Sequence, residues 1–121
     1  MSRRVSVLAL AGTPAELVIQ QIDIANYEHY MEDVLYTHLR DNRGFGPQHD
    51  LARANIVAEL QSFGLAVALE PFTYNSNTYF NVVATQTGST APGEVHVVGA
   101  HFDSVNNPGA DDNATGTAAV L

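Results

Sequence analysis

The sequence predicts a chain of the α/β class, and three observations carry that prediction. Two stretches in the first half repeat their apolar residues every three or four positions, the spacing of a helix face. After Gly64 the period falls to two, as in strands with one covered side. A third run, residues 95–100, is apolar on both faces except for His96, as expected for a central strand. A Gly- and Asp-rich loop follows it and opens into a further helical stretch, so the order reads helix, helix, strand, strand, strand and the start of a helix.

Each element has its own local signals. Thr13 can cap a helix, Pro14 suits the first helical position, and Glu16 can close a capping box. Tyr27, Met31, Val34, Leu35 and Leu39 then mark one apolar helix face, which the turn formers Asn42, Gly44, Gly46 and Pro47 interrupt. A second helix is expected over residues 48–63, with Ala52, Ile56, Leu60 and Phe63 facing inward and Gly64 as its stop. Val67 and Leu69 alternate with Ala66, Ala68 and Glu70 in the first strand, where Pro71 marks an edge or an end. Asn75, Ser76 and Asn77 form a turn signal before a β-branched and aromatic strand over 78–85. Residues 95–100 are expected inside the sheet, flanked by 78–85, with the helix of 48–63 on one face.

Length and composition narrow the function classes. A chain of 121 residues holds one domain, and a hydrophobic fraction of 45% allows it a core. Five Arg and no Lys against 13 acidic residues give a formal net charge of -8, which argues against nucleic acid and anionic lipid as partners. The absence of Cys excludes disulfides and thiolate chemistry, so any zinc would need His and carboxylate ligands. No run reaches the roughly 18 apolar residues of a membrane span. Residues 1–12 read as a leader or a disordered start. Arg3, Arg4 and the short apolar stretch after them leave the location open, with a lean toward a secreted or extracytoplasmic one.

The chemistry concentrates in the last third of the chain. On an extended segment His101 and Asp103 point the same way, and a metal-bound imidazole commonly gives its second ring N–H to a carboxylate. The alternative for such a pair is a buried His satisfied by an Asp. Pro108, Gly109 and Ala110 allow a tight turn, after which Asp111, Asp112 and Asn113 stand just before the helix expected from Thr115. A carboxylate can bridge two cations, and two divalent ions can polarise a carbonyl and activate a water for amide hydrolysis. A calcium loop fits Asp111, Asn113, Thr115 and Gly116 in part, but such a loop follows a helix and this one follows a strand-like run. Asn113-Ala114-Thr115 is formally a glycosylation acceptor inside the same loop. His29, His38, His49 and His96 read as surface or packed residues, and Tyr74, Tyr79 and Phe80 as packing between strands and helices.

The segment VVGAHFDSVNNPGADDNATGTAAVL closely resembles the first metal-binding segment of the M28 zinc peptidases, the co-catalytic aminopeptidases. A looser similarity extends upstream through HDLARANIVAELQSFGLAVALEPFTYNSNTYFNVVAT. The resemblance implies a three-layer α/β/α fold with a mixed central sheet, of which residues 13–121 would supply the N-terminal part. It implies two Zn2+ ions in a complete site, His101 as the first zinc ligand, Asp103 as the catalytic-site acid supporting that His, and Asp112 as the bridging ligand. It also implies a cis peptide between Asp112 and Asn113, and it places Asp111 outside the ligand set.

The family's Glu-Glu pair, its later Asp and its final His have no counterpart before Leu121. The resemblance therefore predicts the front half of a peptidase domain, its partner the remaining C-terminal half. The parent would remove N-terminal residues from peptides. The chain by itself is expected to be inactive and not to retain the zinc. A carboxypeptidase-like or glutaminyl cyclase-like branch and a non-catalytic binding or scaffold domain are the rival readings.

Overall fold

Three helices, a hairpin and a fourth short helix are found among residues 12–36 and 43–121, the residues described in a computed structural model. The expectations for His38, Leu39 and Asn42, and those for residues 1–11, lie outside the described residues. Helix α1 spans Pro14–Ile19 and begins as its sequence dictates. Thr13 Oγ1 accepts from the Glu16 amide, while Glu16 accepts from the Thr13 amide at 2.7 Å. The helical period does not run on unbroken, however. Asp23 accepts from the Ala25 amide at 2.9 Å and caps a separate helix α2, Ile24–His29, which continues into a π-helical stretch, Tyr30–Tyr36.

The apolar face predicted for this region buries only at its end. Val34 and Leu35 are buried, Tyr27 and Met31 half-buried, and Val18, Ile19, Ile22 and Ile24 remain exposed. Helix α3, Pro47–Ser62, packs on that end. Its buried residues His49, Ala52, Ile56 and Leu60 recur at three and four, one stripe along a single side. Asn55 donates to the Val34 carbonyl at 3.0 Å, so the irregular π stretch keeps a satisfied backbone where it meets α3.

Gly64, at φ 77, ends α3 in a Schellman arrangement: Leu65 N–H bonds the Leu60 carbonyl and Gly64 N–H the Gln61 carbonyl. That exit turns Phe63 outward, and it is 46% exposed instead of facing the core as its spacing suggested.

Strands β1, Ala66–Tyr74, and β2, Asn77–Thr85, pair antiparallel in register from Ala66 opposite Thr85 to Tyr74 opposite Asn77. Asn75 and Ser76 both take positive φ, as the centre of a two-residue type I′ hairpin requires. Pro71 sits within β1 opposite Phe80, tolerated because β1 has an open edge. One side of the hairpin packs on α3, joining Val67, Val82 and Ala84 to a core of Val34, Leu35, Ile56, Leu60 and Ala114. Tyr79 lies against Phe45, His49 and Phe72, and Phe80 under the Arg53 guanidinium at 5.0 Å, whereas Tyr74 is 59% exposed and does not pack as expected.

The expectation for residues 95–100 is not met. The sheet has two strands, and this segment takes no part in it. Val95, Val97 and Val98 are 81%, 86% and 78% exposed. A strand apolar on both faces is stable only where neighbours line its edges and layers cover both sides. Here β2 pairs with β1 alone, and a cavity of about 520 Å3 is lined by Val82 and Ile56 together with Val98 and Phe102. The described residues thus form an α/β arrangement of helices and one antiparallel hairpin. The chain closes on a turn, Ala110–Ala114, and helix α4, Thr115–Val120, whose Thr117 and Ala118 are buried.

Candidate metal centre

The loop between residues 101 and 114 draws together the three side chains singled out in the sequence. His101 Nδ1 lies 3.1 Å from Asp103 Oδ1, and His101 Nε2 lies 3.0 Å from Asp112 Oδ1. The ring thus stands between two carboxylates, although the segment before it is not a strand. Asp111 directs no contact at the ring; its backbone carbonyl accepts from the Thr115 hydroxyl at 3.0 Å. Asp112 and Asn113 depart from helical dihedrals, at φ -116, ψ 88 and φ -138, ψ 43, and the peptide joining them is cis. The Asp112 carboxylate faces His101, while Asn113 Oδ1 accepts from the Gly116 amide at the start of α4. The site is open: the Asp112 side chain is 91% exposed and the His101 side chain 52%.

Backbone ties hold this arrangement. The buried Thr117 of α4 donates its hydroxyl to the His101 carbonyl at 3.0 Å, fixing the His to the helix that follows the loop. Asn107 Oδ1 accepts from the Gly109 amide at 2.6 Å and tightens the turn. Gly109 takes φ 61, and a Cβ added there would lie 2.5 Å from the Ser104 Cβ, so only glycine fits. Beneath the loop is Arg43, fully buried, with guanidinium bonds to the carbonyls of Phe102, Pro108 and Gly109. Sequence reasoning missed Arg43, Ser104 and Thr117. A cue for Arg43 was its place among turn formers in a chain with only five Arg and no Lys.

The remaining histidines play the plain parts expected of them where they are described. His49 is buried, stacked on Phe102 at 4.8 Å, with Nδ1 donating to the Arg43 carbonyl at 2.8 Å. His29 is a surface residue 2.8 Å from Asp33, and His96 is exposed.

Electrostatics follow from the two carboxylates. Burial by itself lowers the His101 pKa. The Asp103 carbonyl, the Asp112 carboxylate bond and the charges of both aspartates outweigh it and hold the pKa above the ordinary 6.5. In the neutral ring only one nitrogen carries a proton, and carboxylates accept without donating. With that proton given to Asp103, the Nε2 lone pair faces an Asp112 oxygen, a repulsive pairing unless a proton or a cation lies between. The donor set therefore fits a divalent cation shared by His101 Nε2 and Asp112. Among the described residues no group of three or more His, Asp or Glu side chains converges to hold one ion.

A pH dependence follows. Because the folded pKa of His101 is raised, its contribution to stability is fully present below 6.5 and is lost as pH rises through the folded value. A cation held at Nε2 would compete with that same proton, so its affinity should rise over the window in which the stabilisation fades. His29, raised chiefly by its hydrogen bond to Asp33, acts with the same sign. Zinc titrations and melting curves across pH in a His29→Gln background should therefore show opposite trends, and parallel trends would contradict the shared position on Nε2.

The model of peptidase family M28 matches residues 81–121, the stretch that contains His101, Asp103 and Asp112. Residues 81–121 belong to peptidase family M28. Leupeptin-inactivating enzyme 1 of Streptomyces exfoliatus is 31% identical over 120 residues, 96% of this chain and 26% of its own length. A Saccharomyces cerevisiae protein named as a probable aminopeptidase is 31% identical over 92 residues, 68% of this chain and 24% of its own. An Arthroderma otae protein named as a probable leucine aminopeptidase is 43% identical over 61 residues, 44% of this chain and 16% of its own. The chain spans about a quarter of the length of the first two of these relatives.

Proposed function

We propose that this chain is the part of a zinc-dependent M28 aminopeptidase that supplies the first metal ligands, acting on the N-terminal residue of peptides. The observation that carries the reading is the His101 ring held between Asp103 and Asp112 inside the M28-matched segment. His101 Nε2 and Asp112 would hold the metal, with Asp112 as the bridging carboxylate. Asp103 would accept the Nδ1 proton, fix the tautomer and strengthen the imidazole as a ligand. Zinc in such a site polarises the scissile carbonyl and lowers the pKa of a water. The relatives' names as aminopeptidases favour release of N-terminal residues over other hydrolyses.

Two protein ligands fall short of the three that a catalytic zinc normally has, and no general base accompanies them in the proposed assignment. The 121 residues are accordingly expected to bind zinc weakly and not to turn over aminoacyl-nitroanilides. A polypeptide that adds a Glu-Glu pair, an Asp and a His to these residues, on the α/β/α fold implied by the resemblance, should hydrolyse them in a zinc-dependent way. Chelator-sensitive release of nitroaniline by the 121-residue chain would defeat the division of labour. Failure of the extended polypeptide to release it would defeat the peptidase reading.

A further inference from the structure

We infer that Arg43 is a positioning residue that sets the separation of His101 and Asp112 by gripping both ends of the loop between them. The inference builds on the metal-site reading above but rests on its own contacts. At the loop's start, Arg43 Nε donates to the Phe102 carbonyl at 2.7 Å. At its end, the two terminal nitrogens donate to the Pro108 carbonyl at 2.6 Å and the Gly109 carbonyl at 3.1 Å. The Arg43 backbone amide adds a bond to Ser104 Oγ at 2.8 Å. Phe102 directly follows His101, and Gly109 precedes Asp112 by three residues. One planar group therefore spans the two ligand-bearing ends of the loop.

Three features make this a geometric clamp rather than a general packing contact. Arg43 and Ser104 are buried, so these bonds form away from competing water, and loop carbonyls left without them there would lack a replacement partner. The guanidinium presents its donors in a rigid plane, which a lysine ammonium on a flexible stem cannot reproduce. The grip is also anchored at its far side, because the buried His49 of α3 donates to the Arg43 carbonyl at 2.8 Å and stacks on Phe102. Arg43 thereby registers the ligand loop against the N-terminal turn of α3, the longest helix among the described residues.

The test uses the 121-residue chain and two nuclear magnetic resonance readouts. The first is cross-relaxation between the His101 ring protons and the Asp112 methylene, which reports their separation without metal. The second is the shift of the His101 ring on titration with zinc sulfate. Arg43→Lys keeps the charge and removes the fork. It should lose the cross-relaxation and weaken zinc binding about 10–100-fold, the range typical of groups that orient ligands. Ser104→Ala, a milder change, should give a partial loss of the cross-relaxation. Leu60→Ala lowers stability from the other side of the core and should leave both readouts of the folded chain intact.

Wild-type cross-relaxation and zinc affinity in Arg43→Lys would overturn the inference. So would an equal loss in Leu60→Ala, since that would reduce Arg43 to a general stabiliser. If the wild-type ring fails to respond to zinc, the metal-site reading fails while the cross-relaxation still decides the role of Arg43.

Discussion

In a polypeptide carrying the full ligand set, Asp112→Asn is expected to weaken zinc binding at His101 by at least about 100-fold, since even groups that only orient a ligand cost about 10–100-fold when removed. The adjacent change, Asp111→Asn, should leave the affinity within a factor of about three of wild type, a free-energy change of under about 0.7 kcal/mol. The contrast follows from direction rather than from charge. Both substitutions remove one negative charge from the same loop, so a diffuse electrostatic attraction would respond to either. Only Asp112 reaches the His101 ring, 3.0 Å from Nε2, while Asp111 contributes its backbone carbonyl to Thr115. Asparagine keeps one carbonyl oxygen but loses the carboxylate charge, and an amide is a much poorer partner for zinc. Isothermal titration or the zinc response of the His101 ring distinguishes the pair. Equal losses for the two variants would mean that the loop attracts cations only by its net charge. In a polypeptide carrying the full ligand set, the same pair should separate into an inactive and a largely active enzyme.

The parts of this fold that were legible in the sequence are those whose partners lie close along the chain or repeat periodically. Helix α3 could be placed within a residue at each end because Pro47, the stripe of Ala52, Ile56 and Leu60, and Gly64 are all local signals. The hairpin was equally readable, since Asn75 and Ser76 suit positive φ and β-branched residues flank them. The break between α1 and α2 was missed because apolar spacing persisted across Asp23, whose capping role competes with helix continuation. Residues 95–100 were misread for another reason. Their two-sided hydrophobicity reports what the segment is able to bury, but burial needs partners on both faces, and local pattern does not say who supplies them.

The site divides in the same way. His101 and Asp103 announce themselves by residue type and spacing and Asp112 by the family resemblance, and the structure brings all three together. Arg43 does not announce itself, because it acts on backbone carbonyls some sixty positions away. Every residue carries such a carbonyl, so no side-chain pattern marks those acceptors.

The last expected result concerns two glycines with almost the same backbone and very different surroundings. Gly64 has φ 77 with no atom near the position of an added Cβ. Gly109 has φ 61, but its added Cβ would meet the Ser104 Cβ at 2.5 Å, the Asp112 carbonyl at 2.8 Å and an Arg43 terminal nitrogen at 3.1 Å. Gly64→Ala should therefore cost only the left-handed penalty of about 1–2 kcal/mol. Gly109→Ala should add about 1–3 kcal/mol for forcing a methyl group into a filled space. All three neighbours lie on backbone or buried side chains and cannot swing aside like the tip of an exposed lysine, so the loop itself must move. That movement carries the Asp112 carbonyl and the Arg43 fork with it, and through them the separation of His101 and Asp112. Gly109→Ala is thus expected to lose zinc affinity beyond what its lowered stability explains, whereas Gly64→Ala should melt earlier but bind zinc as wild type does. Chemical denaturation and zinc titration of both variants, made side by side, supply the comparison. If the two glycine variants lose stability equally and neither alters zinc affinity, the loop packing around Gly109 does not control the metal site.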